Sequence, residues 1–170
     1  MTTTISGKVW RYGDDIDTDV LAPGLYMKGS IDVLASHCLE SVDANFANSV
    51  CEGDILVAGA NFGIGSSREQ AAQVLKQLGI RAIIARSFGG IFFRNALNYG
   101  LTALVSKEVD RIHQGDQISI NAASGELVNI STNESYRCDS LPPKLLQMVE
   151  AGGLVPHLQQ QLQQQAEQGD

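Results

Sequence analysis

The chain is poor in residues that hold metals or nucleic acids. Its three cysteines, Cys38, Cys51 and Cys138, are far apart, odd in number and outside any CxxC spacing. That supports neither a disulfide framework nor a self-contained zinc or iron–sulfur site, and all three read as reduced, partly buried thiols. Lys and Arg number 12 against 19 Asp and Glu, a formal net charge of -7, which argues against a nucleic-acid surface because phosphate binding needs a basic patch. No apolar run approaches the length of a membrane span. The opening MTTTISGKVWRYGDD has no basic segment leading into an apolar stretch, so no secretory signal is read and the expected compartment is the cytoplasm.

What is present is a globular composition of 170 residues, 44% hydrophobic and 18% charged, enough for one domain with a real core. The domain is expected over residues 1–157, with a Gln-rich tail over 158–170. Ile5 to Trp10 alternates as a half-buried strand does, and Tyr12 to Asp19 then breaks into a polar loop with four aspartates. Val20 to Ser30 carries Pro23, Gly24 and Gly29 and reads as irregular, followed by a helix around Ile31 to Leu39. Asp54–Ala58, Arg81–Ala85 and Leu101–Val105 read as buried strands alternating with helices over Ser67–Leu78 and Phe88–Tyr99. That alternation predicts an α/β domain with a βαβ core and parallel pairing. Gln117–Asn121 and Glu126–Ser131 read as a hairpin, and Pro142–Ala151 as a helix. The tail, HLQQQLQQQAEQGD, places Leu158 and Leu162 four residues apart; a docked helix, a partner contact and a frayed end all remain open for it.

The chemistry-bearing stretch is GANFGIGSSREQAA, Gly59 to Ala72, a Gly-rich turn between a strand and a helix. A helix start of this kind favours anions. Ser66 or Ser67 as an N-cap, with Glu69 closing a capping box on Ser66, is the purely structural reading. Only one residue can be the cap, however, and Arg68 in the first turn opposes the helix dipole. A carboxylate ligand would account for a cation there. The pattern is not a Walker loop, lacking Gly-Lys-Ser/Thr, and its spacing is a poor dinucleotide fingerprint.

Taken in order, DIDTD (Asp15 to Asp19), GANFGIGSSRE (Gly59 to Glu69) and RAIIARSFGGIFFRNALNYGL (Arg81 to Leu101) resemble the small subunit of 3-isopropylmalate dehydratase. This is the separately encoded form of the aconitase-type swivelling β/β/α domain. The resemblance covers about Lys8 to Val105. It implies a hydro-lyase that dehydrates and rehydrates a malate-type 2-hydroxy acid, most naturally interconverting 3- and 2-isopropylmalate in leucine biosynthesis. It also implies a heterodimer or heterotetramer with a large subunit that carries the [4Fe–4S] cluster, and no metal on this chain. By position in the motif, Ser66 would be the catalytic base, and Ser67 and Arg68 would hold a substrate carboxylate. Gly63 and Gly65 would let the backbone approach closely, and Thr18 and Asp19 would reach the site from the first loop. Tyr26, Met27 and Lys28 fall in a segment similar in position to the one that reads the substrate side chain, with Lys28 about where relatives carry an arginine.

The chain departs from the family pattern at Ile64, where many relatives have Cys, at Gln70, where they have His, and at Gly89-Gly90, where they often have Ala-Arg. These changes leave open a related dehydratase of the homoaconitase, citraconate or dimethylmalate type. A non-catalytic binding module that kept the fold is a third reading, against which the intact Ser66-Ser67-Arg68 speaks. Asp14, Asp15 and Asp17 read as a solvated turn, and Arg94 and Asn95 as a partner contact or, more simply, a solvent face.

Overall fold

A computed structural model describes residues 4–169, and the strand β1 (Thr4–Arg11) is the pivot of its architecture. Along its C-terminal half β1 pairs in parallel with β2 (Ile55–Ala58), Val9 opposite Ile55; its N-terminal half pairs antiparallel with β5 (Gln117–Asn121), Ile5 opposite Ile120. From β2 the sheet continues in parallel through β3 (Ala82–Ala85) to β4 (Thr102–Val105). From β5 it continues antiparallel through β6 (Glu126–Asn129) to β7 (Glu134–Arg137), giving seven strands in the order β4-β3-β2-β1-β5-β6-β7. The fold is the expected mixed α/β type with a βαβ core.

The helix α4 (Gln70–Gln77) connects β2 to β3, and α5 (Gly90–Asn98) connects β3 to β4. Every residue of β2 and β3 is buried, as expected for parallel strands covered on both faces. Ala71, Ala72, Val74 and Leu75 form the buried side of α4, and Gly79, at φ +96°, ends it with its N–H on the Lys76 carbonyl. The short helices α1 (Thr18–Leu21), α2 (Ile31–Ser36) and α3 (Phe46–Ser49) lie between β1 and β2, and α1 and α2 pack against α4.

Several elements differ from expectation. The polar loop ends early because Asp17 caps α1, accepting from the Val20 N–H at 2.8 Å. The strand β7 follows the expected hairpin; three of its four residues are exposed, so it lacks the apolar alternation that announces a strand. After α6 (Pro143–Glu150) the Gln-rich segment forms α7 (Leu154–Gln168), one helix that runs across residues 157 and 158 and buries no residue. No helix among the described residues is long and apolar enough to cross a membrane.

Candidate active site

Three loops leave the C-terminal ends of the parallel strands β1, β2 and β3, where open α/β sheets place their ligand crevices. Backbone bonds stitch them together. The N–H groups of Asp15, Gly63 and Thr18 donate across the first pair of loops to the carbonyls of Ala60, Ile16 and Ile64 at 2.8, 2.7 and 2.8 Å. Phe62 donates to the Ser87 carbonyl at 3.0 Å and Gly89 to the Phe62 carbonyl at 2.8 Å, which joins the second loop to the third. The aspartates that read as a solvated turn are part of this stitching. Asp14 Oδ1 accepts from the Ala60 N–H at 2.7 Å, and Asp15 Oδ1 from Asn61 Nδ2 at 2.9 Å.

The floor of the second loop is aromatic. Phe62 is fully buried and meets Phe92 edge to face, ring centroids 5.2 Å apart. Gly63 lies over Phe92 at φ +78°, and a Cβ there would penetrate that ring. Only glycine meets both demands.

Above this floor the two sequence-predicted motifs converge. Thr18 is 3% exposed, and its Oγ1 lies 3.2 Å from Ser66 Oγ and accepts the Ser66 N–H at 3.1 Å. Arg68 Nη1 donates to Asp19 Oδ1 at 2.8 Å and to the Ala22 carbonyl at 2.9 Å. Asp19 Oδ1 also accepts the Gly24 N–H at 2.9 Å. The Arg68 hydrogen bond, and after it the Gly24 N–H, hold the Asp19 carboxyl below its ordinary range. Among the described residues Arg68 Nη2 and Nε donate to no group, so one edge of the fork is open to a carboxylate. Ser67 is exposed beside them.

The serines are not helix caps. Helix α4 begins at Gln70, with Glu69 in the cap position and no side-chain cap bond, so the capping-box reading of Ser66 and Glu69 fails. Glu69 instead faces the Tyr99 hydroxyl, whose pKa is raised by burial and then by that carboxylate.

The loop after α1 is placed differently from the rest. Tyr26 and Met27 are partly buried and pack against the core, whereas Lys28 is exposed. Among the described residues no hydrogen bond or ion pair joins any of the three to Ser66 or Arg68. Leu25, which the sequence did not single out, stands 84% exposed on the 3₁₀ turn Gly24–Tyr26.

The three cysteines lie in unlike surroundings. Cys38 is fully buried with its thiol pushed up by burial, and burial raises Cys138 to about 12; Cys51 is exposed elsewhere. Among the described residues no three His, Cys, Asp or Glu side chains gather as a metal site would require.

The Aconitase C-terminal domain family model matches residues 17–109, the span holding Thr18, Asp19 and the second and third loops. The chain is 46% identical over 156 residues to 3-isopropylmalate dehydratase small subunit 1 of Thermotoga maritima, covering 91% of this chain and 94% of that one. It is 48% identical over 158 residues to the methanogen homoaconitase small subunit of Methanothermobacter thermautotrophicus, covering 92% of each. The crystal structure of 3-isopropylmalate dehydratase from Methanocaldococcus jannaschii superposes with a TM-score of 0.92 at 41% identity, covering 97% of this chain and 99% of that one.

Proposed function

Since the chain belongs to the aconitase C-terminal domain family, as a small subunit of a hydro-lyase that works with a large subunit, we propose that it interconverts 3- and 2-isopropylmalate with that partner. The observation that carries this reading is the convergence of Ser66 on Thr18 and of Arg68 on Asp19 at the mouth of the parallel strands. Ser66 takes the proton from the carbon next to the departing hydroxyl. A serine hydroxyl is a poor base in water, so its ionised form needs oriented donors, a nearby cation and exclusion of solvent. Thr18 Oγ1, which already accepts the Ser66 N–H, orients the basic oxygen. Arg68 supplies the positive charge, and its open edge together with Ser67 clamps a substrate carboxylate. Asp19 anchors the other edge of the fork. Lys28 and its loop face the variable part of the substrate.

Family membership implies an iron–sulfur cluster on the large subunit, where it supplies Lewis-acid chemistry at the hydroxyl. This chain's part is to bind, orient and move the proton. The complex is a heterodimer or heterotetramer in the cytoplasm. A homoaconitase-type reaction is the second reading, favoured by the exposed cation Lys28 in the loop, which suits a substrate with an additional carboxylate.

The test is anaerobic reconstitution with the large subunit and an absorbance assay of isopropylmalate against other malate derivatives. Ser66→Ala is expected to lower kcat at least about 10²-fold with substrate binding retained. Arg68→Lys, which keeps charge but not the planar fork, is expected to raise KM as well. A Ser66→Ala complex turning over at the wild-type rate overturns the assignment.

A further inference from the structure

The loop that carries Lys28 is secured at its midpoint by one ring. The Tyr26 and His37 rings are stacked with centroids 3.5 Å apart and planes within 2° of parallel. His37 stands at the C-terminal end of α2, followed by Cys38 and Leu39, both fully buried. The Leu39 N–H donates to the Val20 carbonyl at 3.0 Å, which fixes this corner to α1 beneath the site. The plane of the imidazole is set from its other edge, where Nδ1 lies 2.6 Å from Glu40 Oε2. On the loop side, the Gly29 N–H closes onto the Tyr26 carbonyl at 3.1 Å, with Met27 and Lys28 between them. At the near end Gly24 is tied to Asp19, the partner of Arg68.

We propose that His37 is a positioning residue for substrate recognition: its ring holds Tyr26, and through the Tyr26–Gly29 turn it fixes where Lys28 stands relative to the Arg68 clamp. The segment's ends are held by single backbone hydrogen bonds, Gly24 to Asp19 and Gly29 to Tyr26, so without the stack its one ring anchor is lost and the loop samples other positions before substrate binds. Loop ordering is then charged against binding, while the proton-transfer groups, Ser66 and Thr18, lie on other segments and keep their geometry. The signature is a raised KM with kcat preserved. The proposal rests on the reading of Lys28 given above.

Two measurements test it. In the full chain, trypsin cleavage after Lys28 reports loop opening, with cleavage after the exposed Lys107 as an internal control for global unfolding. In the reconstituted complex, steady-state kinetics with isopropylmalate report binding and turnover. His37→Ala is expected to speed Lys28 cleavage and raise KM, each by about 3- to 10-fold, the range that losing an aromatic pair gives. Lys107 cleavage should stay constant and kcat within about twofold. His37→Phe, which keeps the stack and loses the Glu40 contact, is expected to restore both values toward wild type. An unchanged Lys28 cleavage rate in His37→Ala overturns the proposal. So does faster cleavage with an unchanged KM. Lys28→Ala separates the two readings: if it keeps the wild-type KM while His37→Ala raises it, the positioning role stands and the role given to Lys28 falls.

Discussion

Thr18 and Asp19 are adjacent in sequence yet serve different partners, because one turn of α1 points one side chain inward and the next outward. Thr18 is buried against Ser66, whereas Asp19 is exposed against Arg68. Thr18→Val keeps the shape and removes the hydroxyl, leaving the Ser66 N–H and Oγ without their partner. A lost hydrogen bond of about 1 kcal/mol corresponds to roughly a tenfold effect at most on kcat, so kcat is expected to fall by about 5- to 10-fold in the reconstituted enzyme. The Asp19 pair predicts a pH dependence whose sign is fixed. A carboxyl held below its unfolded value stabilises the fold above that value and loses the contribution as pH falls through its depressed folded value. Thermal melts of Asp19→Asn should therefore lie below wild type at neutral pH, and the gap should close below about pH 4, near the unfolded aspartate pKa. The pair is exposed, so the gap is small. A gap that persists undiminished at pH 2 would remove the ion pair from the account.

The second loop is rigid because of what it rests on, an aromatic floor whose Phe92 belongs to α5. Gly63→Ala forces a methyl group into that ring and a left-handed backbone on alanine. The expected loss is about 2–4 kcal/mol, from overpacking plus the backbone penalty, measured by urea unfolding. The parallel strands and their helices were legible in the sequence because continuous apolar runs and glycine stops carry strong local signals. Ser66, Ser67 and Arg68 were legible as a group for the same reason, being packed into one Gly-rich turn. What escaped was set by tertiary contact. Ser66 is engaged by Thr18 from another segment instead of by the helix start, and α4 begins at Gln70 rather than at the serines. The strand β7 exists because β6 offers it an edge, with Tyr136 as its one buried residue. His37 carries no motif, and its meaning lies in the ring that stacks on it.

At the scale of the molecule, the parallel half carries the three loops and the antiparallel half braces β1 from the other side. Helix α7 adds little to either. None of its residues is buried, and Leu154, Val155, Leu158 and Leu162 are all exposed. If residues 1–157 are the folding unit, truncation after His157 shifts Tm by less than about 4 °C, the change that roughly 1 kcal/mol produces in a domain of this size. Differential scanning fluorimetry of the two lengths decides it, and a drop of ten degrees or more would make the helix part of the core.

The central place of β1 has a consequence for synthesis. A chain growing from its N-terminus can assemble β1 to β4, with all three loops, once residue 105 is available. The opposite edge of β1 stays bare until residues 117–121 arrive to cover it. A bare strand edge is a template for pairing with other chains. Translation that stops between these points therefore yields a polypeptide in which Thr18, Ser66 and Arg68 are all present and whose backbone is primed to polymerise, which makes the last third of the message a safeguard for what precedes it.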